Sequence, residues 1–166
     1  MIESISFPVL ASPSPSPDLH RRILLLTLGM FVLWVSPCLA DIVIHEIHYE
    51  PEDNTQPGEF VEIYNRGEAP IDLSGWAFTD GIDYTFPPDT NLLPGEFLLI
   101  AEDPAFILAN HSVAALGPYS GSLSNEGESL ELSDALGGIA DAVDYRVEFP
   151  WPLDSAGQGS SMELVN

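Results

Sequence analysis

The stretch "HEIH", His45–His48, and the acids that follow it are the residues with the best claim on chemistry. Two histidines around a glutamate bring imidazole and carboxylate together, the donor types of a zinc site. The helical zinc motif needs its histidines four apart on one helix face. Here they are three apart in a segment that reads as a strand, where regular pleating sends them to opposite faces. Two ordinary strand histidines are therefore expected. His111 falls at the end of a predicted short helix, where a cation suits the dipole. The acids gather in loops. Glu50, Glu52 and Asp53 crowd one, Asp80 and Asp83 flank a turn, and Glu126 and Glu128 sit in another. Calcium favours carboxylates on flexible loops, so Glu50, Glu52, Asp53, Asp80 and Asp83 are the candidate metal ligands and calcium the one cofactor on offer. The D-x-D-x-D-G ladder is missing, and a solvated acidic surface accounts for the same residues.

Other chemistries lack their parts. The single cysteine is Cys38, lysine is absent, and no G-x-S-x-G elbow, P-loop or dinucleotide fingerprint occurs. Paired carboxylates need separations of ~5–10 Å that a sequence does not specify. The expectation is a protein without catalytic activity. A formal net charge of −22, from 26 acids against 4 arginines, repels phosphate backbones, so nucleic-acid partners are not expected. With one cysteine, no disulfide within the chain is available.

That cysteine lies in a leader. Arg21 and Arg22 precede the apolar run Ile23–Val35, which is shorter than the ~20 residues of a bilayer span and suits a signal-peptide core. Pro37 breaks it, and Cys38–Ala40 supplies small residues for cleavage after Ala40. Residues 1–40 are thus read as an arm and signal peptide. Residues 41–166 form one domain, secreted or periplasmic, with no stable membrane span after cleavage.

Strand signals fill that domain. Asp41–Tyr49 is a first strand. "EFVEIYN" alternates, with Glu59, Val61 and Ile63 on one face and Glu62 and Tyr64 on the other. Glu46, Glu59 and Glu62 read as structural acids that pair with Arg66 or accept turn N–H groups, the alternative being a recognition patch on the sheet face. A turn at Asn65–Glu68 uses Gly67 at positive φ. "IDLSGWAF" is a third strand with a bulge or a close backbone approach at Gly75, and Trp76 and Phe78 anchor the core. "EFLLIAE" is the most apolar strand and the expected centre of its sheet. Asp103 caps a short helix opening on Pro104. Gly127–Asp134 and Gly138–Tyr145 form a hairpin around Leu136–Gly138. The core should span about 42–147, with 148–166 a C-terminal extension. Many short strands and one small helix predict an all-β antiparallel sandwich.

The blocks "EFVEIYNRGEAPIDLSGWAF", "YTFPPDTNLLPGEFLLIAEDP" and "LSNEGESLELSDALGGIADAVDY" occur in an order that resembles the lamin-tail domain. The resemblance implies an immunoglobulin-like fold whose signature here is Phe60, Glu62, Asn65, Leu73, Gly75 and Trp76. The tail around Trp151 looks like the bacterial secreted branch. Domains of that branch accompany larger surface or extracellular proteins, some with a spore-coat-protein-H-like kinase or a nuclease domain. No heptad run precedes the domain, so filament assembly is not implied. The resulting expectation is a secreted, non-catalytic interaction or structural module with a protein or cell-surface ligand. The rivals are an accessory piece of a larger extracellular enzyme and a calcium-dependent adhesion module.

Overall fold

The computed structural model describes residues 41–53, 55–148, 151 and 159–164. The expected leader, 1–40, lies outside them. Among the described residues, ten strands and one helix follow one another: β1 (Ile42–His48), β2 (Phe60–Asn65), β3 (Ile71–Asp72), β4 (Ala77–Asp80), β5 (Tyr84–Thr85), β6 (Asn91–Leu92) and β7 (Phe97–Ala101), then α1 (Pro104–His111), β8 (Gly127–Ser133), β9 (Ile139–Arg146) and β10 (Met162–Glu163). Every pairing between named strands is antiparallel. One four-stranded sheet runs β10-β1-β2-β7, a second runs β5-β4-β8-β9, and β3-β6 makes a small ribbon.

The two large sheets share a core because alternation gives each an apolar face. Val61 and Ile63 from β2 and Ile44 and Ile47 from β1 meet Phe78 of β4 and Leu130 and Leu132 of β8 in one buried cluster. Tyr145 of β9 is fully buried and lies 5.3 Å from the Tyr49 ring. The Ile44 N–H donates across the sandwich to Asp141 Oδ2 at 2.8 Å. The described residues form an antiparallel sandwich with one short helix, as the turn spacing predicts, and of the immunoglobulin-like kind that the family resemblance implies. No helix among the described residues is long and apolar enough to cross a membrane.

Four local expectations are corrected. "IDLSGWAF" is two strands in different sheets, because Gly75 at φ 76 turns the chain between β3 and β4. Gly67 does not adopt positive φ. Its value is space, since an added Cβ would sit 2.8 Å from the Asp41 carboxyl carbon. β7 ends its sheet instead of centring it, and a parallel bridge from Ile100 to Leu116 lies on its far side. The core also does not stop near 147: Met162 of β10 pairs with Ile47 and is buried in it.

The helix follows its start signal. Asp103 Oδ1 accepts the Ala105 and Phe106 N–H groups at 2.9 and 3.0 Å, and Pro104 occupies the first turn. Ile107 is its buried residue.

Candidate functional site

The outward face of β1 and β2 is where reactive side chains converge. On β2, Val61, Ile63 and Asn65 point into the core, so Phe60, Glu62 and Tyr64 point away from it. On β1 the pairing goes from Ile44↔Ile63 straight to Glu46↔Glu62, which leaves His45 as the extra residue of a bulge. That extra residue resets the alternation. His45 packs on Tyr64 and Phe97 (ring centroids 5.8 and 4.9 Å), while His48 stacks on Phe60 at 5.0 Å. Both histidines therefore share the outer face, against the expectation of opposite faces. The signal was in the sequence: Ile44 and Ile47 are both core residues three apart, a spacing regular pleating forbids.

Glu62 is the centre of this face. Its Oε1 lies 3.1 Å from His45 Nδ1, with both side chains mostly buried (20% and 15% exposed). An ionised carboxylate only accepts, so the imidazole N–H donates. Glu46 stands directly opposite Glu62, and Glu163 of β10 directly opposite Glu46. Burial, and after it the Glu46 carboxylate, holds the Glu62 pKa above the ordinary glutamate value; His45 pulls it down and Glu163 raises it further. Among the described residues, His45, Glu46 and Glu62 are the group of three whose donor atoms lie within 4.8 Å of one another. Glu46 and Glu62 also line a cavity of about 250 Å³ that Ile107, His111 and Val113 close from the helix side. A neighbouring hollow of about 450 Å³ includes His48, His111, Glu52 and Asp53. Burial, with His111 adding charge repulsion, lowers the His48 pKa.

The candidate calcium ligands are not gathered in this way. None of Glu50, Glu52, Asp53, Asp80 and Asp83 belongs to the three-residue group. Asp53 Oδ1 is engaged in its own loop by the Thr55 N–H at 3.0 Å and the Thr55 hydroxyl, which keep its carboxyl below the usual range. Asp80 Oδ1 accepts the Gly81 N–H at 3.0 Å. Asp83 pairs its backbone with Ser120.

Glu59 and Glu128 have structural roles at one end of the sandwich. Glu59 Oε2 accepts the Leu123 N–H at 2.9 Å and the Tyr119 hydroxyl at 3.1 Å. Burial is the main cause of its raised pKa, with those hydrogen bonds opposing. Glu128 Oε1 accepts the Ser124 N–H at 2.7 Å and the Tyr145 hydroxyl at 2.9 Å. Accepting a turn N–H was one of the two roles expected of Glu59. The partner of Glu62 is His45, which sequence spacing did not suggest.

The Lamin Tail Domain sequence profile matches residues 37–146. The chain belongs to the lamin-tail domain family. No curated protein matches it. Among solved structures, a DUF4876-family protein from Bacteroides thetaiotaomicron is similar at 14% identity and a TM-score of 0.49. That match covers 67% of this chain, which spans 55% of the other.

Within the lamin-tail domain, the signature residues divide by job. Asn65 is wholly buried; its Nδ2 donates to the Ala69 and Leu92 carbonyls at 2.9 Å each, and its Oδ1 accepts the Gly67 N–H at 2.9 Å. One amide side chain thereby ties the turn after β2 to β6. Leu73 is buried and Phe78 lies in the core, while Trp76 and Trp151 are partly buried against it. Phe60 and Glu62 belong to the outer face, and Gly75 to the turn.

Proposed function

We propose that this lamin-tail domain is an exported, non-catalytic interaction module that binds a protein or cell-surface ligand. The observation that carries the reading is the β8–β9 turn. Leu136 is 96% and Ile139 64% exposed there, beside a groove of about 340 Å³ lined by Ile71, Trp76 and Ala140. Asp134 fixes this turn: its Oδ1 accepts the N–H groups of Leu136 and Gly138 at 2.8 and 2.9 Å. Apolar side chains on a braced turn beside a groove are arranged for contact, and such surfaces mark association sites. The leader's composition supports export.

The test follows the tagged full chain in its native host, by fractionation and by retention on the cell envelope. The expected result is an exported chain cleaved near Ala40. Its retention should fall at least tenfold in Leu136→Ser/Ile139→Ser, with melting unchanged. A chain that stays in the cytoplasm, or a folded double variant retained like wild type, would overturn the proposal.

A further inference from the structure

The outer-face cluster has a feature that packing alone does not explain. Three glutamates, Glu163, Glu46 and Glu62, stand side by side across β10, β1 and β2. Like charges directly opposite on neighbouring strands destabilise a sheet. Residues 41–166 carry 24 acids against two arginines and no lysine, so these glutamates are not diluted by a basic surface. The bulge in β1 turns the one imidazole of this row toward them and puts His45 Nδ1 3.1 Å from Glu62 Oε1.

We propose that His45, Glu46 and Glu62 bind a divalent transition-metal ion of the zinc or manganese kind. The donor set is one imidazole and two carboxylates, which suits these ions better than calcium or magnesium, whose ligands are all oxygen. The geometry agrees. Two donors bound to such an ion at ~2.0–2.2 Å lie about 3.0–3.5 Å apart, and the His45–Glu62 pair already has that spacing. All three donors fall within 4.8 Å of one another, close enough for one ion to draw them together. The cavity of about 250 Å³ beside Glu46 and Glu62 leaves room for water on the open coordination positions. Glu163 sits one strand away as an outer carboxylate that steadies the charge. The ion would clamp β1 to β2 and cancel the row's repulsion. Binding here is independent of the β8–β9 turn.

The full chain, stripped of metal, is titrated with Zn²⁺, Mn²⁺, Ca²⁺ and Mg²⁺ in high monovalent salt, by calorimetry and by melting. One Zn²⁺ per chain is expected, with a rise of several degrees in melting temperature and little response to Ca²⁺ or Mg²⁺. His45→Gln and Glu62→Gln should each weaken Zn²⁺ binding at least tenfold. Glu50→Gln, Asp53→Asn and His48→Gln should leave it intact. A readout on wild type guards against misfolded variants: substoichiometric Mn²⁺ should broaden the His45 ring resonances before those of His48 and His111. Equal small shifts with all four ions, or Zn²⁺ binding that survives His45→Gln, or broadening that begins at His48 or His111, would overturn the proposal.

Discussion

The two faces of the β1–β2 pair differ in almost every respect. The inner face holds Ile44, Ile47, Val61 and Ile63, all apolar and under 4% exposed, with the wholly buried Asn65 as its one polar side chain. The outer face holds His45, Glu46, His48, Phe60, Glu62 and Tyr64, half-buried and mixed in aromatic, acidic and imidazole groups. The same backbone serves both, because successive side chains leave opposite faces. The inner face specifies the fold and tolerates one kind of chemistry. The outer face is free to vary in chemistry, and it is there that a single inserted residue gathers three donors.

The largest effect should come from breaking the inner side. Phe78→Ala removes a core ring that is 1% exposed, and should cost ~3–5 kcal/mol, whereas Phe97→Ala, 49% exposed on the outer face, should cost under ~1 kcal/mol. Urea denaturation of both variants reads this, and comparable losses would erase the distinction between the faces. Next comes the one polar group of the inner side. Asn65→Ala leaves the Leu92 carbonyl and the Gly67 N–H without the amide, at a cost of ~1–3 kcal/mol each way of counting. A melting temperature within a degree or two of wild type would show the turn to be held by other means.

The smallest effect is electrostatic and sharpens the comparison at the rim of the core. The raised pKa of Glu59 means that ionisation costs the folded state more than the unfolded one. Its contribution therefore lowers stability as pH rises from the unfolded value of ~4.3 up to the raised folded value, and is constant above that. Glu59→Gln keeps an oxygen for Tyr119 and Leu123 and removes the charge. Stability of the variant should fall less across that window. Identical slopes in the two proteins would remove Glu59 from the account.

What a sequence reveals depends on whether the governing interaction is local. The Asp103–Pro104 helix start, the Val61/Ile63 alternation and the β8–β9 turn are settled by neighbours a few residues apart, and all three stand where composition put them. The position of β7 at its sheet's end depends on pairings across the chain, and apolar content alone pointed to the centre. The site was harder still. Its histidine and two glutamates were each visible, but their convergence needs the bulge and the register of β1 on β2. The acid-rich loops drew attention by density, yet density in a loop does not aim carboxylates at one point. Only the Ile44–Ile47 spacing carried the clue.

β10 has a consequence for how this domain meets other chains. Met162–Glu163 occupies the free side of β1, beyond residue 146, where the family match ends. A chain ended at Arg146 would leave the row of β1 N–H and C=O groups around Glu46 and Ile47 without that cover, beside the core space that Met162 fills. Uncovered rows of this kind recruit strands from other molecules. β10 thus covers a sheet edge that would otherwise be open to pairing, and trimming the protein to its matched segment should raise its tendency to self-associate.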